Sequence, residues 1–280
     1  MGYPMAGHLV SAGHEVVVFN RTTTVAERFV DEHPSATLAA SPAEAADGAD
    51  AAMLIVGNDD SVRSVALGDD GALAALPEGK ILIDHTTASA TVAHELAEAA
   101  APKNIGVLDA PVSGGEGGAQ NGVLTIMCGG AQDTFDRAEP LLAAYGKTRT
   151  LIGATGAGQT TKMVNQIAIA GLIQGLSEAL NLGITAGLDM EKVLATLVDG
   201  AAGSWQMTNR GQTMVDDQFD FGFAIEWMAK DLGIALSEAE RLGAPTPVAT
   251  LVAGFYEELI ADGESRSDSS VLIRRLRSSH

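Results

Sequence analysis

Cysteine is almost absent from this 280-residue sequence, in which Cys128 is the single one. One cysteine cannot form an intramolecular disulfide, and no charged-then-apolar leader precedes the first predicted helix. A reducing, cytoplasmic location is therefore the expectation. Cys128 lies in a strand-like run and is expected to be inert core.

Basic residues are also scarce, because 17 Lys and Arg face 36 Asp and Glu, giving a formal net charge of -19. Such a charge repels nucleic acid and anionic membrane surfaces, so we expect neither as a partner. Any phosphate or carboxylate ligand must then be held by local donors.

Several signatures of other classes are missing. The sequence contains no Tyr-x-x-x-Lys pair, which argues against a short-chain dehydrogenase mechanism. It shows no internal repeat, coiled-coil heptad or low-complexity linker, and we predict no metal site. One apolar run, from Met163 to Leu188, is long enough to cross a bilayer. Its polar residues, such as Asn165 and Glu178, favour a buried helix of a soluble protein instead.

The first part of the chain alternates between strand and helix patterns. It starts as a helix over Met1 to Val10 and continues with the strand Glu15 to Phe19. The further strands are predicted near Ala36 and over Ala51 to Val56, Lys80 to Asp84, Ile105 to Asp109, Val123 to Met127 and Thr150 to Ile152. This alternation predicts an α/β fold, a Rossmann-type doubly wound sheet, over residues 1–154.

The second part, residues 155–280, has no convincing strand and is predicted to be an all-helical C-terminal domain. Its predicted helices are the apolar run, Met190 to Val198, Trp205 to Val215, Ala224 to Leu242, Pro247 to Ala261 and Ser269 to Leu276. The apolar helix needs more cover than one chain supplies, which predicts a homodimer or homotetramer.

A lysine stands at the start of the apolar helix, where the two predicted domains meet in sequence. In the stretch Gly156 to Gln166, residues Lys162, Asn165 and Gln166 share one helix face. A lysine with two amide neighbours at this position suggests a catalytic role for Lys162. The alternative is that Lys162 extends its ammonium to solvent from the first turn.

Loops that follow strands in such a sheet face the ligand. Asn20, Arg21 and Thr22 follow the second strand of the expected βαβ unit, where an arginine accommodates a 2′-phosphate and an acidic residue would favour NAD. This predicts NADP(H), with NAD(H) as the second choice; the alternative is an exposed arginine in a turn. Val56 and Asn58 lie in the next such loop, although its polar residues are also ordinary helix caps.

A glycine-rich segment follows the strand that ends at Asp109. Ser113, Gly114 and Gly115 can direct consecutive backbone N–H groups at an anion, and the alternative is a simple hairpin loop.

Four motifs resemble those of the β-hydroxyacid dehydrogenases, which include 3-hydroxyisobutyrate dehydrogenase and tartronate semialdehyde reductase. They are Met-Gly-x-x-Met-Ala at the start, Asp109-Ala110-Pro111-Val112-Ser113-Gly114-Gly115, the segment Gly156 to Asn165, and Lys230-Asp231-Leu232. The resemblance covers essentially the whole chain.

The resemblance implies a role for each candidate residue. Lys162 would be the catalytic acid/base, and Ser113, Gly114 and Gly115 would bind a substrate carboxylate, with Asn165 orienting the substrate. The implied cofactor contacts are Gly2, Asn20, Arg21, Thr22, Val56, Asn58, Thr87 and Lys230. Trp205 and Phe223 would line the substrate pocket. The alternative is that both are ordinary aromatic residues of the core.

The resemblance fails at the N-terminus, because family members carry a strand and a Gly-x-Gly turn ahead of the Met-Gly that is Met1-Gly2 here. Gly2 then matches the third glycine, which lets helix and strand pack closely. Either the start was assigned at an internal methionine, or the polypeptide lacks its central strand. In the second case we expect weaker cofactor binding and lower stability.

The expected function is the NADP(H)-dependent interconversion of a small, carboxylate-bearing β-hydroxy acid and its semialdehyde. A lysine acts as a base near neutral pH only where burial or a neighbouring cation lowers its pKa. The alternatives are an imine reductase-like enzyme, in which the position of Lys162 is typically not lysine, and a cofactor-binding dimer without turnover.

Overall fold

The computed structural model describes residues 1–277, which divide after Lys162 into two compact units. The first unit is Met1–Lys162 and the second begins at Met163. The predicted boundary at residues 154 and 155 lies just before the long helix that contains Lys162.

The first unit alternates strands and helices. Its strands are β1 Val17–Val18, β2 Thr37–Leu38, β3 Ala51–Leu54, β4 Ile81–Asp84, β5 Gly106–Asp109, β6 Val112–Ser113, β7 Leu124–Gly130 and β8 Gly146–Gly153. Its helices are α1 Gly2–Ser11, α2 Thr23–Glu32, α3 Pro42–Ala46, α4 Asp59–Leu67, α5 Ala72–Ala75, α6 Ala90–Ala100, α7 Gly115–Gln120 and α8 Gln132–Leu142, with a 3₁₀ turn at Ala101–Lys103.

The main sheet is mixed. Its order is β3-β4-β5-β7-β6, with β8 paired to β7. The pairs β3/β4, β4/β5 and β7/β8 are parallel, whereas β5/β7 and β6/β7 are antiparallel. The expected fold class, a Rossmann-type sheet followed by a helical domain, is confirmed, and the antiparallel pairs add a feature that the periodicity did not predict.

Strands β1 and β2 form a separate parallel pair. Helix α3 packs against both β1 and β3, so the two sheets are neighbours.

Both faces of the main sheet are covered. Side chains alternate along a strand, so Leu82 on β4 enters one hydrophobic cluster, while Ile81 and Ile83 enter the cluster on the opposite face. All three are buried, and each such side chain stabilises the fold by roughly 1.5–3 kcal/mol. Because β3, β4 and β5 run parallel, their carboxyl ends, and the loops after them, lie at one edge of the sheet.

Local signals set several helix starts. Asn58 and Ser89 accept hydrogen bonds from the backbone N–H groups of Ser61 and Val92, and so cap α4 and α6. Ser41 caps α3, with Pro42 in its first turn.

One helix was not predicted from the sequence. The glycine-rich segment after Gly114 forms α7, Gly115–Gln120. Burial of Gly118 and Ala119 outweighs the low helix propensity of glycine, and a Cβ at Gly118 would lie only 3.2 Å from Leu124 Cδ2.

The second unit is helical over its described residues. Helix α9 Ala157–Thr185 begins in the first unit and continues into the second, followed by α10 Met190–Leu197, α11 Trp205–Val215, α12 Ile225–Leu242, α13 Pro247–Ala261, a 3₁₀ turn at Ser269–Val271 and α14 Leu272–Arg277. Buried side chains from α9 to α14 form one core, which includes Ile173, Met214, Met228 and Tyr256.

Helix α9 is less buried in the single chain than the sequence predicted. Val164, Leu172 and Leu182 are exposed, with Leu182 at 71%. Among residues 1–277 it is also the one helix long and apolar enough to cross a membrane by length and composition, a test that core helices of soluble proteins pass as well.

Candidate active site

Lys162 is buried in the second turn of α9, with 7% of its surface exposed. Its Nζ donates a 2.9 Å hydrogen bond to the backbone oxygen of Val112, the residue before Ser113. The ammonium therefore does not extend to solvent, which was the alternative expectation. The bond places the Lys162 amine beside the Ser113 segment, although the two residues are about fifty positions apart.

The Ser113 segment joins β6 to α7. Gly114 and Gly115 have φ angles of 130° and 63°, which favour glycine, and both are exposed. Gly115 is the first residue of α7, so the N–H groups at this end have no partner within the helix. These N–H groups and the Ser113 hydroxyl form a set of donors of the kind that binds a carboxylate.

The loop after β4 carries Thr87, which is half-buried. Gln159 on α9 holds both neighbours of Thr87: its Nε2 donates to the Thr86 oxygen at 2.7 Å, and its Oε1 accepts from the Ala88 N–H at 3.0 Å. The Thr86 hydroxyl accepts from the Val56 N–H at 3.0 Å. The loops after β3 and β4 and the start of α9 are therefore connected.

Asp109 connects the end of β5 to the same helix. Its Oδ1 accepts from the Gly156 N–H at 2.7 Å and its Oδ2 from the Gln159 N–H at 2.9 Å. Burial raises the pKa of Asp109, although the backbone hydrogen bonds at the helix start oppose that shift. Because these donors form the N-terminus of α9, the carboxylate also has a favourable interaction with the helix dipole.

Two further titratable groups are buried below these loops. Burial raises the pKa of Asp84 to about 7, and its Oδ2 has no hydrogen-bond partner among the described residues. Burial lowers the pKa of His85 to about 4. The His85 Nδ1 lies 2.7 Å from the Ala110 oxygen and must donate to it, so Nε2 accepts from the Tyr145 hydroxyl at 2.9 Å.

The residues predicted at the adenosine end lie in an exposed loop after β1. The Asn20 side chain donates to the Thr22 oxygen at 2.9 Å, and Arg21 is exposed. Thr22 is the N-cap of α2 but makes no side-chain capping bond, so the first N–H groups of α2 have no side-chain partner from their cap. The Arg21 guanidinium and the uncapped N–H groups at the start of α2 together form a positively charged site, here called the Arg21 corner.

Gly2 and Asn58 have structural explanations of their own. A Cβ at Gly2 would lie 2.7 Å from Ile55 Cγ2, so glycine permits the close packing of α1 on the end of β3. The Asn58 side chain is occupied by its capping bond to Ser61.

In the second unit, two hydrogen bonds and one ion pair join four polar residues. Asn165 Nδ2 donates to Gln166 Oε1 at 2.8 Å, and Gln166 Nε2 donates to Asp231 Oδ2 at 2.7 Å. Asp231 Oδ1 lies 3.0 Å from Lys230 Nζ. Buried Asp231 thus links the predicted substrate residue Asn165 to the predicted cofactor residue Lys230.

Trp205 and Phe223 are placed differently. Trp205 opens α11, is 57% exposed, and lies under the guanidinium of Arg210 at 5.0 Å. Phe223 is half-buried against the core of the second unit, and its N–H donates to Asp268 at 2.9 Å. Phe223 therefore has the contacts of an ordinary core aromatic, which was the alternative to a pocket residue. Trp205 does not have such contacts.

Sequence reasoning missed Asp109 and Gln159. Both carried a signal: Asp109 is a charged residue at the end of a strand, and Gln159 precedes Lys162 by three positions on the same helix face. Among residues 1–277 no group of three or more His, Cys, Asp or Glu residues could hold a metal ion.

Comparison with known families matches both parts of the chain. A family model described as the NAD binding domain of 6-phosphogluconate dehydrogenase matches residues 1–153. A second, described as NAD-binding of NADP-dependent 3-hydroxyisobutyrate dehydrogenase, matches residues 156–276.

Individual relatives cover nearly all of the chain. An uncharacterized oxidoreductase of Shewanella frigidimarina is 53% identical over 279 residues, covering 100% of this chain and 96% of the relative. The 2-hydroxy-3-oxopropionate reductase of Escherichia coli is 35% identical, with 99% and 94% covered. A structure of 3-hydroxyisobutyrate dehydrogenase from Mycobacterium tuberculosis with L-serine aligns with a TM-score of 0.88 at 30% identity, covering 99% and 96%.

Proposed function

Since the chain belongs to the β-hydroxyacid dehydrogenase family and is an oxidoreductase that uses a nicotinamide cofactor, we propose that it interconverts a small β-hydroxy acid and its semialdehyde. The observation that carries the proposal is the burial of Lys162 beside the Ser113 segment, with its Nζ on the Val112 oxygen.

Lys162 exchanges the alcohol proton. In the oxidative direction its neutral amine takes the hydroxyl proton, and in reduction its ammonium returns a proton to the carbonyl oxygen. One N–H of the Lys162 amine donates to the Val112 oxygen. This hydrogen bond fixes the rotation of the amine about its Cε–Nζ bond, and so the direction in which Nζ exchanges a proton. The nicotinamide, when bound, supplies the hydride donor or acceptor.

The substrate carboxylate binds at Ser113, Gly114 and Gly115. The N–H groups at the start of α7 are fixed by the backbone, so they orient a small acid without reorganisation, and the Ser113 hydroxyl adds a further donor. The roles of Asn165, Trp205, Phe223 and Lys230, which all belong to the second unit, stay predictions.

The cofactor site has the features that a dinucleotide needs. Helix α1 begins at Gly2 with no side-chain capping bond and no acidic residue in its first turn, which suits a pyrophosphate. At the adenosine end, the Arg21 corner contains no acidic residue that would bind a free ribose, which favours NADP(H) over NAD(H).

The oligomer that we propose is a homodimer or homotetramer. Val164, Leu172 and Leu182 on α9 and Val248 and Leu251 on α13 are exposed apolar side chains in the single chain. A second copy would remove them from water. Light scattering coupled to size-exclusion chromatography gives the mass directly.

The test of the proposed function is a small substrate panel. In the reductive direction, the loss of NADPH or NADH absorbance is followed with tartronate semialdehyde and with succinic semialdehyde. In the oxidative direction, the formation of NADPH or NADH is followed with 3-hydroxyisobutyrate and with L-serine. Turnover of at least one compound, faster with the phosphorylated cofactor, is expected. Tight cofactor binding without turnover of any compound would favour the non-catalytic alternative.

A further inference from the structure

The side chain of Gln159 is completely buried in the first turn of α9. It uses its donor and its acceptor on one loop, with Nε2 on the Thr86 oxygen at 2.7 Å and Oε1 on the Ala88 N–H at 3.0 Å. The two bonds bracket Thr87, so the backbone of this loop cannot shift along α9 without breaking at least one of them.

The backbone of the same helical turn is fixed from the other side by Asp109, which accepts the Gly156 and Gln159 N–H groups. The packing is as close as glycine allows, because a Cβ at Gly158 would lie 2.4 Å from both the Asp109 and the Met127 backbone oxygens. The first turn of α9 is therefore held against the end of β5 and the middle of β7.

Lys162 follows Gln159 by three positions, so the two side chains project from nearly the same face of α9. Gln159 holds the loop of Thr87, and Lys162 holds the segment before Ser113 through the Val112 oxygen. The two loops with proposed roles are thus both attached to the first two turns of one helix.

We propose that Gln159 is a positioning residue, which fixes the Lys162 amine relative to the Thr87 loop; this rests on the proposed function of Lys162. Gln159 suits this role because the site requires a neutral group that donates to Thr86 and accepts from Ala88 at once. A carboxylate cannot donate, and an apolar side chain can do neither.

This requirement distinguishes two substitutions of similar size. Gln159→Met removes both hydrogen bonds at every pH. Gln159→Glu reproduces both bonds while its carboxyl is protonated, and places a charge against the Thr86 oxygen once it ionises. Burial raises the pKa of such a carboxyl, so the change falls in a range where enzymes are assayed.

Other ionisable side chains lie near this turn, namely Asp84 and Asp109 at the strand ends, His94 against Gly156, and Lys162 itself. They are present in the wild type and in both variants. The measured quantity is therefore the ratio of the variant kcat to the wild-type kcat at each pH, in the reduction of a semialdehyde from the panel.

For Gln159→Met we expect a kcat about 10- to 100-fold below wild type at all pH values, with KM changed by less than about threefold. For Gln159→Glu we expect a ratio near unity at about pH 5.5, which falls about tenfold per pH unit above the pKa of the introduced carboxyl. The controls are Gln132→Met and Gln132→Glu on the exposed first turn of α8.

A readout that needs no substrate is amide hydrogen exchange of the free protein. In Gln159→Met the Ala88 N–H and the amides that start α9 should exchange at least about tenfold faster, while α8 is unchanged. If Gln159→Met does not fold, Gln159→Glu at low and high pH gives the same comparison within one protein.

The outcomes separate this proposal from the proposed function. The positioning role alone would be overturned if Gln159→Met turns over substrate as fast as the wild type. It would also be overturned if the ratio of the Gln159→Glu kcat to the wild-type kcat does not change with pH. Full turnover by Lys162→Ala, or no wild-type turnover of any compound, would overturn both. Faster exchange with a pH-dependent ratio for Gln159→Glu supports the proposal.

Discussion

Asp84 and Asp109 are register partners on the parallel strands β4 and β5, and each side chain is only 1% exposed. Asp109 has the N–H groups at the start of α9 as partners, whereas Asp84 Oδ2 has none among the described residues. Burial and the neighbouring Asp109 raise the pKa of Asp84 to about 7, so Asp84 holds a proton in the folded protein below neutral pH.

This arrangement predicts that Asp84→Asn stabilises the protein in alkaline buffer. The unfolded carboxyl titrates well below the folded one, so the folded state loses stability as pH rises through the folded pKa of Asp84. An amide does not titrate, and the free energy of unfolding should increase by on the order of 2 kcal/mol at about pH 8. Urea unfolding at about pH 5 and pH 8 measures this difference. An equal effect at both pH values would contradict the protonation of Asp84.

For His85 we expect the opposite pH dependence of stability, with the loss in acid. Its folded pKa, lowered to about 4, lies below that of an unfolded histidine, so stability is lost as pH falls from about 6.5 towards 4. His85→Gln should weaken this loss, since glutamine stays neutral while it can still donate to Ala110 and accept from Tyr145. Unfolding curves across that range, with His14→Gln as the control, test the effect. An unchanged slope in His85→Gln would show that the ring is not neutral in the fold.

Gly158 is predicted to tolerate no side chain. In Gly158→Ala the methyl group would meet two backbone oxygens at 2.4 Å, so α9 must move away from the end of β5. We expect a loss of stability of about 1–3 kcal/mol. Gly233→Ala on the exposed face of α12 has open space and should gain about 0.5–1 kcal/mol. Thermal unfolding of the two variants should therefore shift in opposite directions, and equal shifts would contradict the close packing.

Arg21 is predicted to set the cofactor preference. Arg21→Ala should weaken NADPH binding by about 1–3 kcal/mol and leave NADH binding nearly unchanged, because the guanidinium pairs with the 2′-phosphate alone. Fluorescence titration gives both dissociation constants. Arg28→Ala is the control, because it removes a cation from α2 that lies over the Tyr3 ring of α1. If the ratio of the two constants stays the same in Arg21→Ala, the preference for NADP(H) has another origin.

The sequence predicted the fold class because helix and strand periods are local. The helices Trp205–Val215 and Pro247–Ala261 even begin and end where their patterns do. Helix α7 was missed because its stability comes from packing of Gly118 and Ala119, which outweighs glycine propensity. The antiparallel position of β7 between β5 and β6 is likewise set by pairing over long sequence distances.

The same division holds for the candidate site. Lys162 and the Ser113 segment could be found because motifs of this kind are contiguous in sequence. The partners that fix them could not: the Asp109–Gly156 bond spans 47 positions and the Gln159–Thr86 bond spans 73. A single sequence without an alignment carries no signal for such contacts, beyond the polarity of residues at strand ends and on one helix face.

The central claim is that Lys162 is the acid/base of the reaction, and its most direct test is the turnover of Lys162→Ala with a substrate from the panel. The proposal predicts that kcat falls by about 10²–10⁴-fold while the dissociation constant for NADPH, measured by fluorescence, changes little. Turnover by Lys162→Ala close to that of the wild type would contradict the claim.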